Sequence, residues 1–78
     1  MGYSAREKLT AAGFGNADTQ MLISVFDSLS AGYGDLRIDD VIAGALCTVA
    51  GAGSRAPEKL AAYAEHRARY ARQSLEGS

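Results

Sequence analysis

Apolar side chains recur at the three- and four-residue spacing of amphipathic α-helices in four segments of the chain. Glycine-containing breaks at residues 13–15, 31–34 and 51–53 separate these segments. Residues 1–78 are therefore predicted to form one all-α domain, a compact bundle of four helices. The predicted helices cover residues 5–12, a stretch from a cap at position 16 or 18 to about 30, residues 40 to about 50 and, from an initiating segment at 54–57, a stretch ending near 75.

Three of the predicted helices begin at residues suited to a helix start. Ser4 and Glu7 have the spacing of a capping box, in which both side chains accept hydrogen bonds from free backbone amides. Asn16 or Asp18 is expected to cap the second helix. Pro57 suits the first turn of the last helix, where a missing N–H costs nothing.

The third helix is predicted to be the centre of the bundle. Asp39 is expected to cap it, and residues 36–38 are expected to form an extended connector before it. Residues 41–54 carry no charge, so we expect the helix to be covered on both sides. The side with small residues would let the alanine-rich last helix approach closely. That side contains Ala43, Gly44, Cys47 and Ala50.

The last helix is predicted to be the longest, with a narrow apolar stripe on one face and charges on the other. The stripe consists of Leu60, Ala64, Ala68, Ala71 and Leu75. Two pairs of opposite charge have the i, i+4 spacing that stabilises an exposed helix face. They are Glu65 with Arg69 and Arg72 with Glu76.

The composition predicts a thin core. Leu, Ile, Val and Phe together supply only 15 residues, whereas the chain has 15 alanines and nine glycines. A chain of this size buries only about 60% of the surface that its unfolded form exposes. We therefore expect an oligomer or a bound partner to complete the domain. The composition, with six arginines and two lysines, is compatible with a GC-rich bacterial or phage genome.

The cysteine content and the apolar runs favour a cytoplasmic protein. Cys47 is the only cysteine, so the chain cannot have the internal disulfide framework typical of small secreted domains. The first eight residues lack the apolar run of a signal peptide. The uncharged segment 41–54 is shorter than the roughly 20 apolar residues of a membrane span and contains three glycines. No membrane association is expected.

No catalytic, cofactor or metal site is expected. The single histidine, His66, and Cys47 cannot form a zinc site without carboxylates from elsewhere, and an exposed imidazole with a buried, inert thiol is the favoured interpretation. The turn at residues 51–55 leaves two alternatives open. Ser54 and Arg55 follow two glycines at a helix start and can bind an anion there, or the turn is simply a hinge with a cap.

The last helix carries the candidate binding residues. Tyr63, Arg67 and Tyr70 lie along one edge of the apolar stripe, and tyrosine and arginine are the residue types most enriched at protein-binding hot spots. Arg67 either belongs to an interface or pairs internally with Asp39 or Asp40. The leading hypothesis is a small protein-binding module, an adaptor or a stoichiometric inhibitor or regulator of a larger assembly, and not an enzyme.

Nucleic-acid binding by the last helix is the alternative hypothesis. Residues 55–78 carry a net charge of +2 and the first 54 residues carry −3, in a chain whose total is −1. This contrast is typical of a basic nucleic-acid face, although glutamates are interleaved with the arginines. The basic residues are Arg55, Lys59, Arg67, Arg69 and Arg72.

Overall fold

A computed structural model describes residues 5–76. Within this range the chain forms four helices, which confirms the predicted all-α bundle. They are α1 (Ala5–Ala11), α2 (Asn16–Ser30), α3 (Leu36–Gly51) and α4 (Pro57–Glu76). Helix α4 is the longest at 20 residues, as expected. The predicted capping box depends on Ser4, which lies outside the described residues.

The connection between α1 and α2 depends on a glycine rather than on a side-chain cap. Gly15 is the N-cap of α2, with a φ of 97° that favours glycine, and its carbonyl accepts the amide of Thr19 at 2.9 Å. No side chain caps this helix. Asn16 is already its first residue and Asp18 lies in its first turn, so the prediction that one of them caps α2 is wrong.

Helix α3 begins four residues earlier than the sequence predicts. Asp35 is its N-cap, and the Asp35 side chain accepts a hydrogen bond from the amide of Arg37 at 2.9 Å. Residues 36–38 are therefore the first turn of the helix and not an extended connector. Asp39, predicted as the cap, lies inside this turn and accepts a hydrogen bond from Ser30 instead.

Helix α3 is the centre of the bundle, as predicted. It packs against α1, α2 and α4, whereas α1 and α4 do not contact each other. Half of the buried core residues belong to this helix. They are Ile38, Ile42, Ala43, Ala45, Leu46 and Ala50.

Residues 41–50 of α3 are covered on both sides as expected, with an opening at Gly44 and Thr48. Ala43 and Ala50 are buried, but Thr48 is exposed and Gly44 is only partly covered. A Cβ atom added at Gly44 would meet nothing within 4 Å. Three neighbouring helices do not surround a fourth completely, and α3 is open to solvent at these two positions.

The apolar stripe of α4 is confirmed over most of its length. Leu60, Ala64 and Ala68 are fully buried, Ala71 packs at the margin of the core, and Leu75 is 38% exposed. Helix α4 makes its most extensive contact with α3, because alanines let the two backbones approach closely. Both predicted ion pairs on the exposed face are present, Glu65 with Arg69 at 2.8 Å and Glu76 with Arg72 at 3.1 Å.

Candidate functional site

The three predicted binding residues lie along one edge of α4. Tyr63, Arg67 and Tyr70 are spaced by four and three residues, so they occupy neighbouring turns of one helix face. The exposed fraction is 38% for Tyr63 and 68% for Tyr70, and Arg67 is also exposed. We call these three residues the tyrosine edge. It lies beside the buried stripe of α4, so the core holds the backbone beneath it in place.

Arg67 has no carboxylate partner within residues 5–76. Its two internal candidates are engaged elsewhere. Asp39 accepts a hydrogen bond from Oγ of Ser30 at 2.6 Å, and Asp40 accepts one from Nζ of Lys8 at 2.8 Å. These acids therefore join α3 to α2 and α1, and neither forms an ion pair with Arg67.

Each of the other arginines in the described range forms an ion pair with a carboxylate. The pairs are Arg6 with Asp27, Arg37 with Asp35, Arg55 with Asp18, Arg69 with Glu65, and Arg72 with Glu76. A paired arginine must give up or share its internal acid when it binds another group. Among the arginines of residues 5–76, Arg67 alone has no internal acid to give up.

The carboxylates of α4 lie away from the tyrosine edge. Glu58 lines one shallow groove beside α2, and Glu65 and Glu76 line a second. Lys59 and His66 are exposed, and helical spacing places both beside the tyrosine edge. This side of α4 therefore combines aromatic rings with basic groups and carries no acidic residue.

The guanidinium of Arg55 is held by hydrogen bonds within the domain. Its Nη1 donates to the carbonyls of Ala50 at 2.6 Å and Ser54 at 2.9 Å, and its Nε donates to Asp18 at 2.9 Å. The guanidinium also lies over the ring of Phe14, 5.4 Å from its centroid. An anion bound to Arg55 would compete with these partners.

A groove that the sequence did not indicate lies between the C-terminal ends of α2 and α4. It has a volume of about 500 Å³ and is lined by Leu29, Tyr33 and both α4 ion pairs. The guanidinium of Arg72 lies over the ring of Tyr33, 5.8 Å from its centroid. Since residues 33 and 72 are remote in sequence, no local pattern predicts this contact. The charged groups of the groove neutralise one another in pairs.

Cys47 and His66 are not joined by a hydrogen bond. The Sγ of Cys47 lies 4.0 Å from the carbonyl oxygen of Lys8 in α1, whereas His66 is exposed on α4, which does not contact α1. Burial raises the pKa of the Cys47 thiol, and the nearby charge of Lys8 opposes this effect. No group of three or more His, Cys, Asp or Glu side chains within residues 5–76 is arranged to hold a metal ion.

None of the helices in the described range combines the length and apolar character needed to cross a bilayer. Comparisons of the chain with protein-family models, curated proteins and solved structures gave no significant match.

Proposed function

We propose that this chain is a small protein-binding module that acts as an adaptor or as a stoichiometric inhibitor or regulator of a larger assembly. The observation that carries the proposal is Arg67, which lies exposed between Tyr63 and Tyr70 and has no acidic partner in the described part of the chain. Tyrosine and arginine bury a large area on binding and retain a polar end that can be satisfied across an interface.

The rigidity of α4 supports this role. Leu60, Ala64 and Ala68 are fully buried, so the helix presents the tyrosine edge on a fixed backbone. Little conformational entropy beyond that of the side chains is then lost when a partner binds. A mobile loop carrying the same residues would lose more conformational entropy on binding.

The ion pairs of α4 weaken the case for a nucleic-acid face. Of the five basic residues at positions 55–72, three are paired with carboxylates of the same domain. Only Lys59 and Arg67 contribute full charges without an acidic partner among the described residues. Tight nucleic-acid binding usually requires several such charges, because affinity depends on the number of phosphates neutralised.

Site-specific photo-cross-linking tests the proposal. Benzoylphenylalanine replaces Tyr63 or Tyr70 in turn, and a matched control carries it at Gln20, which is exposed on α2. Since the lone cysteine is compatible with a reducing compartment, we propose the cytoplasm of the native host as the place for the experiment. We expect the same foreign protein to be cross-linked from both tyrosine positions and not from position 20.

Two results would contradict the proposal. One is a cross-link from position 20 as strong as those from positions 63 and 70. The other is an adduct that contains only a second copy of this chain. Circular dichroism of each variant checks that the helices are retained.

A further inference from the structure

The charge around the tyrosine edge indicates which chemistry its partner must have. Lys59, His66 and Arg67 are exposed on the same side of α4 as the two tyrosines. We infer that the edge binds an acidic segment of another protein, in which carboxylates meet Arg67 and Lys59 and apolar side chains cover the two rings. This inference rests on the proposed protein-binding function.

The first support is the position of the acidic residues within residues 5–76. Most of them are held by groups outside the tyrosine edge, including Asp39 by Ser30 and Asp40 by Lys8. Glu58 lines a groove beside α2, and Glu7 is exposed on α1, which does not contact α4. The described part of the chain therefore supplies no carboxylate to the basic edge, and complementary charge comes from the partner.

A second copy of this chain fits the edge poorly. In a twofold symmetric contact, a surface patch of one copy meets the same patch of the other copy. Arg67 lies near the middle of the tyrosine edge, so antiparallel pairing of two α4 helices would bring Arg67 close to its counterpart. Like charges placed together in an interface are unfavourable, because both must be desolvated without a compensating opposite charge.

Nucleic acid also fits the edge less well than an acidic polypeptide. Lys59 and Arg67 provide two full positive charges, enough for two carboxylates of a helix or extended segment. Two phosphate contacts would give only weak binding at physiological salt. An acidic segment with apolar residues uses both the charges and the exposed ring surfaces of Tyr63 and Tyr70.

A nitrogen-15 NMR titration with defined probes tests this inference. The probes are a short amphipathic peptide of Glu and Leu, two peptides of the same pattern with Lys or Gln in place of Glu, and a short DNA duplex. We expect the Glu peptide to shift amides of residues 59–70, to bind more weakly as salt rises, and to bind more tightly than the other three probes.

The variants Arg67→Gln and Arg69→Gln provide a matched comparison. Both remove one exposed arginine from α4, but Arg69 lies in the groove beside α2 and pairs with Glu65. We expect Arg67→Gln to weaken binding of the Glu peptide about tenfold and Arg69→Gln to leave it nearly unchanged. Equal effects of the two variants, or equally tight binding of the Lys peptide, the Gln peptide or DNA, would overturn the inference.

The two proposals fail in different ways. If cross-links from positions 63 and 70 identify a partner whose contact surface is basic or uncharged, the acidic-partner inference is wrong and protein binding stands. If the Glu peptide binds the edge but the cross-linked adduct contains only a second copy of this chain, the proposed function is wrong and the preference for acidic groups stands.

Discussion

The Nε of Arg55 donates a hydrogen bond to Oδ2 of Asp18 at 2.9 Å, which joins the turn before α4 to the first turn of α2. The same guanidinium donates to the carbonyl of Ala50 at 2.6 Å, near the end of α3. One side chain thus connects three helices. The carbonyl of Ala50 also accepts the amide of Gly53 at 3.0 Å, so Arg55 adds a second hydrogen bond at the C-terminal end of α3.

We expect Arg55→Ala to lower the free energy of unfolding by about 1–3 kcal/mol, because hydrogen bonds from a charged donor are lost together with the ion pair. The matched control is Arg69→Ala, whose exposed i, i+4 pair contributes only about 0.3–0.5 kcal/mol. Urea denaturation measures both variants. A loss for Arg55→Ala no larger than that for Arg69→Ala would show that Arg55 does not hold the helices together.

The buried alanines of α4 set how closely this helix approaches α3. Ala64 is fully buried, so Ala64→Leu should overpack the core and lower the free energy of unfolding by about 1–3 kcal/mol. Ala62 is exposed on the same helix, and Ala62→Leu should change stability by less than about 0.5 kcal/mol. Thermal denaturation compares them, and equal stabilities would refute the close packing of α4.

The Cys47 thiol should react slowly. Because burial raises its pKa, less thiolate is present at a given pH, and alkylation by iodoacetamide should become fast only at higher pH than for an exposed thiol. The matched control introduces a thiol at the neighbouring exposed position, through Thr48→Cys in a Cys47→Ala background. Identical pH profiles for the two thiols would contradict the burial of Cys47.

The Asp35 cap should make stability depend on acid pH. Its hydrogen bonds with the side chain and the amide of Arg37 lower the pKa of Asp35 below the ordinary 3.8. The folded state therefore favours the carboxylate. Its contribution is complete above the unfolded pKa and is lost as pH falls through the lower folded pKa.

Two substitutions at position 35 separate capping from titration. Asp35→Ala should destabilise the domain at neutral pH, because the Arg37 amide loses its acceptor. Asp35→Asn should retain much of that stability, since asparagine is also a good N-cap, but show a smaller loss between pH 5 and pH 2 than the unmodified chain. Denaturant unfolding across this pH range measures the stability of both variants. If Asp35→Asn loses as much stability in acid as the unmodified chain, the loss comes from other carboxylates.

Local sequence rules predicted the features that depend on residues within about one helical turn. Four helices, the buried series Leu60, Ala64 and Ala68, and the ion pair between Glu65 and Arg69 all follow from helical spacing. The rules were less successful at helix starts. Asp39 was predicted as the cap of α3, whereas Asp35 has that role, and the contact of Asp39 with Ser30 of α2 is not visible in the local sequence.

By itself, the sequence determined the helical class of this protein, the order and approximate limits of its helices, and the position of Tyr63 and Tyr70 along one edge of the last helix. Only the tertiary structure decided which acid a basic residue meets when the two are remote in sequence. Asp40 pairs with Lys8 and Asp18 pairs with Arg55, across 32 and 37 positions of the chain. Such contacts depend on how the helices pack. The same packing leaves Arg67 without an internal acid in the described chain, and that makes the tyrosine edge the candidate site.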